Sequence, residues 1–203
     1  MPAGPAATGL IAAALLSSAL ACTAETAAVP AAAPVATAFD LQGHAASPLD
    51  DTVELVLLAF VTPDCPISNR YAPELARIDA TLPHERVHAF VVYPDPDVTV
   101  AAIEAHQREF ALPWPALRDP DHVLVRAAQA LVTPEVALWS RDAAGQRVLA
   151  YHGRIDDKFP EFGRARPQPR VRDLDDALTA VLAGKAPASA TAPAVGCPIG
   201  DLR

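Results

Sequence analysis

The fold is decided by residues 53–82, VELVLLAFVTPDCPISNRYAPELARIDATL. The apolar run 53–61 is typical of a strand buried on both faces, as at the centre of an α/β sheet. Pro63 and Asp64 end that run, and Pro66 favours the first position of a helix, where its missing N–H costs nothing. Apolar residues then recur at helical spacing: Ile67, Tyr71, Leu75, Ile78 and Leu82. The sequence therefore predicts a central strand that passes through a short turn into a helix, with Cys65 at the junction.

A cysteine at the start of a helix has distinctive chemistry. The free N–H groups and the positive end of the helix dipole stabilise a thiolate relative to a thiol. Cys65 is therefore predicted to be a nucleophile or a redox group. The alternative is a small buried hydrophobic residue, which is what most lone cysteines are. The combination of strand, turn, proline and helix favours the reactive cysteine.

The composition indicates one domain with a substantial core and no nucleic-acid partner. The chain has 203 residues, and alanine accounts for much of its 51% hydrophobic content. Its net charge is −8, and the basic residues form no cluster along a predicted face. Nucleic-acid binding needs such a cluster, so that class of function is excluded.

The N-terminus is predicted to be an export signal. Residues 10–21 form an apolar segment that is too short to span a bilayer and is typical of a signal-peptide core. Residues 1–21 are therefore predicted to be a signal peptide, although residues 1–8 carry no Lys or Arg. Ala19-Leu20-Ala21 fits the small-x-small cleavage pattern.

The residue after the predicted cleavage site is Cys22. Leu20-Ala21-Cys22 resembles the end of a bacterial lipoprotein signal, in which the cysteine is acylated and attaches the protein to a membrane. Ala19 stands where such signals usually have a large apolar residue, so plain secretion is the alternative. Residues 22–37 are rich in Ala and Pro and are predicted to be a tether. Either route predicts an extracytoplasmic protein, in the periplasm or cell envelope, where disulfides persist.

Residues 38–184 are predicted to form the domain. Its first part alternates strand and helix, which implies parallel strands joined by right-handed crossovers. Its second part contains an antiparallel hairpin around residues 141–146, and a last helix opens at Asp173 and stops at Gly184. Residues 185–203 form an Ala/Pro-rich tail that is mobile by composition and carries Cys197.

This order, with a cysteine after a central strand and Thr133-Pro134 before the hairpin, resembles the thioredoxin fold with an insertion. Residues 65–74, CPISNRYAPE, resemble the redoxin group, whose members include peroxiredoxin-like proteins and extracytoplasmic thiol–disulfide oxidoreductases. Residues 151–157, YHGRIDD, and residues 196–199, GCPI, are similar to that group as well. The resemblance implies an α/β, thioredoxin-like three-layer fold with a mixed central sheet flanked by helices.

The resemblance also implies roles for residues beside the cysteine. Pro134 would follow a cis peptide bond, in a loop that presents Thr133 to Cys65; an ordinary trans proline at a strand start is the alternative. Ser68 stands where thioredoxins carry their second cysteine. It cannot form a disulfide, and at most it donates a hydrogen bond to the thiolate.

The match to peroxiredoxins is partial. Thr62 fits the Thr or Ser that they carry three residues before the reactive cysteine, whereas Leu58 replaces the proline that they carry four residues earlier. The arginine that polarises the peroxide is not assigned by the sequence. Arg154, Arg118 and Arg141 are the candidates, and each is also typical of a solvated surface position.

The resemblance favours an enzyme, a thiol-dependent oxidoreductase of the peroxiredoxin-like, antioxidant class. The Cys65 thiolate would attack a peroxide and become a sulfenic acid, or it would exchange with a protein disulfide. An external thiol would serve as reductant, and neither a metal nor another cofactor is expected.

Two other functions stay open. Some thioredoxin-fold chaperones deliver copper through two cysteines and a histidine, and His152 is the most interesting of the six scattered histidines because it ends a strand. A lone histidine is more often structural. The third possibility is a thioredoxin-fold module that binds partners without turnover.

Cys197 is predicted to be the resolving thiol, within one chain or across a dimer. A flexible segment of about a dozen residues has a reach of ~20 Å, comparable to the radius of a domain of this size. The tail can therefore bring Cys197 to Cys65, where a disulfide needs the two Cα atoms within about 7 Å. A free cysteine on a mobile tail is the alternative.

Overall fold

The computed structural model describes Met1, Gly4 and residues 38–200. The chain divides into two units, residues 1–33 and 34–203, and the elements described below belong to the second. The predicted cleavage site, Cys22 and the tether lie outside the described residues. None of the helices within the described part is long and apolar enough to cross a membrane.

Residues 38–200 form ten strands and four α-helices. The strands are β1 (Ala38–Phe39), β2 (Ala45–Ala46), β3 (Leu55–Phe60), β4 (Val87–Tyr93), β5 (Ala116–Arg118), β6 (Val132–Thr133), β7 (Glu135–Arg141), β8 (Arg147–Gly153), β9 (Thr191–Ala192) and β10 (Cys197–Pro198). The helices are α1 (Pro66–Asp79), α2 (Val100–Phe110), α3 (Val123–Ala128) and α4 (Asp173–Leu182).

The central sheet has the strand order β2-β1-β5-β4-β3-β7-β8-β9. Strands β3, β4 and β5 are parallel, and β7 and β8 form an antiparallel hairpin beside β3. Strand β3 lies in the middle, and all six of its residues are buried. The continuous apolar run predicts this position, because a strand covered on both faces has no polar side to alternate with.

The sheet lies between two helical layers. Leu55, Leu57 and Ala59 face the layer of α1, α2 and α4, and alternate residues of the same strand face α3. The result is the thioredoxin-like three-layer fold that the resemblance implies, with a mixed central sheet. The peptide bond between Thr133 and Pro134 is cis, as predicted.

The C-terminal tail differs from its predicted mobility. Within residues 185–200, β9 pairs in parallel with β8, and β10 pairs antiparallel with β6. Glycines allow both approaches. A Cβ added at Gly153 would lie 2.0 Å from the Ala192 carbonyl oxygen, and one added at Gly196 would lie 2.2 Å from the Thr133 carbonyl oxygen. The amino-acid composition does not predict this docking, because the docking depends on close backbone contact and not on a periodic apolar face.

Candidate active site

Cys65 lies at the N-terminus of α1, at the end of the turn that follows β3. It is the residue before the first helical turn, and Pro66 occupies the first helical position, as predicted. Its side chain has no exposed surface. The Cys65 thiol donates a hydrogen bond to the Thr133 carbonyl, with 3.0 Å between sulfur and oxygen. The loop before the cis proline therefore faces the cysteine.

The surroundings of the sulfur favour the thiolate. Burial opposes ionisation of Cys65, but the thiolate can accept hydrogen bonds from the side chain and backbone of Cys197 and from the backbone and hydroxyl of Ser68, and these outweigh the effect of burial. The pKa of Cys65 is therefore lower than that of an ordinary cysteine. The cause is hydrogen bonding to the charged form, which adds to the effect of the helix N-terminus.

Ser68 is one of the residues that favour the Cys65 thiolate over the thiol. Its side chain is 2% exposed, and its Oγ has no hydrogen-bond partner while the Cys65 thiol donates to Thr133. An unpaired buried hydroxyl is unfavourable. When Cys65 loses its proton, the sulfur becomes an acceptor for this hydroxyl, so ionisation satisfies a group that the thiol form leaves unpaired.

Cys197 lies against Cys65 because β10 pairs with β6. In that pairing Cys197 is opposite Thr133, the residue whose carbonyl accepts from the Cys65 thiol. Burial, together with the hydrogen bond and the charge of Cys65, raises the pKa of Cys197. The two free cysteines thus have opposite properties, with a thiolate favoured at Cys65 and a thiol at Cys197.

Thr62 lies in the turn before the cysteine, where its carbonyl accepts a hydrogen bond from the Cys65 amide at 3.2 Å. Its half-buried side chain lines a cleft of about 160 Å³ that Thr133, His122 and Pro198 also line. The acidic residues Asp95 and Asp97 are at the same cleft. The expected action of the Thr62 hydroxyl on a peroxide stays a prediction.

Two of the three arginine candidates have structural partners. Arg154 forms a two-point contact with Asp173 at the start of α4, with 2.7 Å from its Nε to a carboxylate oxygen. Arg141 donates to the carbonyls of Gly145 and Asp51. These contacts use the guanidinium groups to hold loops and a helix end. The expected action of Arg154 on peroxide stays a prediction.

Two features of the site carry no signal that we identified in the sequence. Glu135 directly follows the cis proline and is 5% exposed, and its Oε2 accepts hydrogen bonds from the amides of Leu131 and Val132. It therefore holds the backbone of β6, on which β10 docks. In the sequence, Glu135 stands out only as a charged residue at the start of an otherwise apolar strand.

The second feature is a buried chain of hydrogen bonds that reaches the Cys65 turn. Tyr93 contacts His106, His106 contacts Asn69, and Asn69 contacts the Pro63 carbonyl, at 2.8, 2.8 and 2.9 Å. Asn69 belongs to the CPISNRYAPE motif, but its partners come from β4 and α2. Sequence spacing does not bring them together.

Among the described residues, the copper hypothesis has the two sulfurs of Cys65 and Cys197 and no histidine grouped with them. The Nδ1 of His152 lies 3.7 Å from Glu135 Oε1. Between residues 38 and 200, no group of three or more His, Cys, Asp or Glu side chains is placed to hold a metal ion.

Comparisons with solved structures find proteins that share this architecture. No protein-family model matches the chain, and neither does any curated protein. A hypothetical protein of Sinorhizobium meliloti shares 25% identity with a TM-score of 0.65, over 80% of this chain and 88% of that one. An uncharacterized conserved protein of Geobacillus kaustophilus shares 20% identity with a TM-score of 0.67, over 80% and 86%. The chain has a thioredoxin-like fold.

A further structural match is a secreted disulfide oxidoreductase of Mycobacterium tuberculosis, with 23% identity and a TM-score of 0.45. The match covers 56% of this chain and 80% of that one.

Proposed function

We propose that the protein is a thiol peroxidase in which Cys65 is the nucleophile and Cys197 is the resolving thiol. The observation that carries this proposal is the docking of β10 on β6, which places Cys197 opposite Thr133, the residue whose carbonyl accepts a hydrogen bond from the Cys65 thiol. Two free cysteines separated by 132 positions of sequence (197 minus 65) thus both lie beside Thr133, and a reversible disulfide between them is the bond that we propose.

The chemistry needs two steps on these atoms. In the first, the Cys65 thiolate attacks the terminal oxygen of a hydroperoxide and the O–O bond breaks. The alcohol or water leaves after taking a proton, and Cys65 becomes a sulfenic acid. In the second, the Cys197 sulfur attacks the Cys65 sulfur, water leaves, and the disulfide forms. Two thiols of an external reductant then return both cysteines to the reduced form by exchange.

The pKa difference between the cysteines fits this order. The thiolate is the nucleophile in both steps, and the lowered pKa of Cys65 makes it the first to attack. Once Cys65 is oxidised, its negative charge is gone. The charge and hydrogen bond of Cys65, which help to keep Cys197 protonated, then no longer act on it.

The burial of Cys65 favours a small oxidant over a protein disulfide. Its side chain has no exposed surface, and Val195 and Cys197 of the tail pack against the core cluster that contains it. A peroxide needs only a small opening beside the sulfur, whereas a protein disulfide needs room for a second polypeptide. The adjacent cleft of about 160 Å³ is likewise of small-molecule size. Exchange with a protein disulfide would use the same two cysteines and is the competing reaction.

The test is a comparison of oxidants on the fully reduced protein. One arm receives one equivalent of hydrogen peroxide, and the other receives one equivalent of an oxidised cysteine-containing protein. We expect peptide mapping without reduction to find the Cys65–Cys197 peptide in the peroxide arm, formed faster than in the protein arm. If Cys65 stays sulfenic while Cys197 remains fully alkylatable, the resolving role fails. Faster reaction with the protein disulfide would assign exchange as the function.

The proposal includes an extracytoplasmic site of action. Residues 1–21 would direct export, and acylation of Cys22 would attach the enzyme to a membrane. Cys22→Ser is expected to release the protein from the membrane fraction without changing the peroxide reaction. Unaltered membrane fractionation of the Cys22→Ser protein would count against acylation at this residue.

A further inference from the structure

The buried histidine of α2 belongs to a hydrogen-bond chain whose direction can be assigned. His106 is 5% exposed, with its Nδ1 2.8 Å from the Tyr93 hydroxyl and its Nε2 2.8 Å from Asn69 Oδ1. At the other end, Asn69 Nδ2 donates to the Pro63 carbonyl. That carbonyl can only accept, so it fixes which side of the Asn69 amide faces it.

The assignment then follows group by group. With Nδ2 on Pro63, the Asn69 oxygen faces the histidine and must accept, so His106 Nε2 carries a proton. In the neutral imidazole the other nitrogen accepts, and it does so from the Tyr93 hydroxyl. Burial lowers the pKa of His106, although the charges of Glu109 and Asp64 oppose this, so the neutral form is favoured. Every group in the chain is satisfied in this single orientation.

The chain ends on the turn that presents the nucleophile. Asn69 contacts that turn twice, with its side chain on the Pro63 carbonyl and its backbone N–H on the Cys65 carbonyl at 3.1 Å. It therefore ties the middle and the last residue of the segment between β3 and α1 to the first turn of α1. The position of the Cys65 sulfur relative to the Ser68 donors depends on the shape of this short segment.

We propose that His106 is a positioning residue for Cys65: it orients the Asn69 amide, and Asn69 holds the turn that aims the sulfur at its hydrogen-bond donors. The inference rests on the proposed function only in treating Cys65 as the reactive group. Without the His106 donor the Asn69 oxygen loses its partner, and the amide is then held only by its bond to the Pro63 carbonyl. The turn loosens, and the thiolate loses part of its contact with Ser68.

The experiment measures Cys65 ionisation directly and needs no substrate. In the full chain with Cys22→Ser and Cys197→Ser, Cys65 is the only thiol, and thiolate ultraviolet absorbance against pH gives its midpoint. In that background His106→Leu is expected to raise the midpoint by roughly half a pH unit or more. His106→Gln, which can keep an N–H for Asn69, is expected to return it close to the parent value. Asn69→Leu should match His106→Leu, and the double variant should exceed neither, because the residues act in one chain.

The matched control is Ile103→Ala, which removes a fully buried side chain from the same helix without touching the hydrogen-bond chain. It is expected to lower Tm and leave the midpoint unchanged. An unchanged midpoint in His106→Leu, or an equal rise in Ile103→Ala, would overturn the proposal. If His106→Leu does not fold, the Asn69→Leu midpoint decides alone. A shifted midpoint in a protein that shows no peroxide turnover would keep the positioning role and reject the proposed function.

Discussion

The tripeptide Cys-Pro-Ile occurs twice in this chain and has two different structures. At residues 65–67 it opens a helix, with the proline in the first turn and the cysteine just before it. At residues 197–199 it lies at strand β10, paired with β6. The pKa of the first cysteine is lowered and that of the second is raised. The same three residue types therefore contain a cysteine that favours the thiolate in one place and a cysteine that favours the thiol in the other.

The donors around a sulfur, and not the Pro-Ile that follows it, decide its pKa. The Cys65 thiolate can accept hydrogen bonds from Ser68 and Cys197 at the start of a helix. Cys197 lies in β10 and precedes no helix, and burial together with the charge of Cys65 disfavours a second negative charge there. Each cysteine therefore shifts the pKa of the other.

The largest expected effect comes from exchanging the two cysteines for serine in turn. Cys65→Ser should abolish peroxide consumption, a loss of roughly a thousandfold or more, because no other group can replace the nucleophile. Cys197→Ser should still consume one equivalent of peroxide and then stop with Cys65 as a sulfenic acid. Stopped-flow measurement of peroxide consumption and mass spectrometry of the oxidised protein distinguish the two variants. Equal behaviour of the two variants would remove the proposed division of roles.

The second prediction separates the docking of the tail from its chemistry. In Gly196→Ala the added Cβ would lie 2.2 Å from the Thr133 carbonyl oxygen, a backbone atom that cannot rotate away. Overpacking of this kind costs about 1–3 kcal/mol, so disulfide closure should slow by about tenfold or more. At a pH above the Cys65 pKa the first oxidation should not slow, because Cys65 is then a thiolate even without the contact from Cys197.

The control for that prediction is Gly200→Ala. A Cβ at Gly200 meets nothing within 4 Å, so closure should proceed at the rate of the unmodified protein. Rates of Cys65–Cys197 formation after a peroxide pulse, measured by quenched alkylation, give the comparison. If Gly196→Ala and Gly200→Ala form the Cys65–Cys197 disulfide at the same rate, the contact at Gly196 does not govern the docking of the tail.

The two cysteine regions also differ in how far the sequence predicts them. The β3–α1 junction is predictable because its signals are local: an apolar run, a proline at the right position and helical spacing after it. The cis bond at Pro134 follows from the family resemblance, and the structure confirms it. Cys197 was predicted to reach Cys65, but the means was expected to be a mobile tail and is instead a docked strand.

Long-range contacts explain what the sequence does not reveal. The burial of Ile199 among residues of the α3 face, and the position of Gly196 on Thr133, join parts of the chain more than 60 residues apart. His106 and Glu135 act on the site through hydrogen bonds to an amide side chain and to backbone N–H groups. Such bonds leave no periodic pattern, so only the folded chain shows them.

The smallest effect is expected from Ser68→Ala, and its sign should change with pH. While Cys65 is a thiol, the Ser68 hydroxyl is buried without a partner, so alanine should be neutral or slightly stabilising. Once Cys65 is a thiolate, alanine removes a hydrogen bond to a charged group. Such bonds contribute about 1.5–3 kcal/mol, so the pKa of Cys65 should rise by about one unit or more.

The link between Cys65 ionisation and folding gives the sign of the change in folding stability with pH. A lowered folded-state pKa stabilises the protein above the pKa of the unfolded cysteine, and this contribution is lost as the pH falls through the folded value. Ser68→Ala shrinks that contribution, so the variant should lose stability relative to the unmodified protein only as the pH rises through the Cys65 pKa. Urea unfolding of the reduced proteins on both sides of that value measures it. The control adds Ser68→Ala to the Cys65→Ser variant, where the loss of stability should not depend on pH. A pH-dependent loss in that double variant would mean that Ser68 acts on some group other than the thiolate.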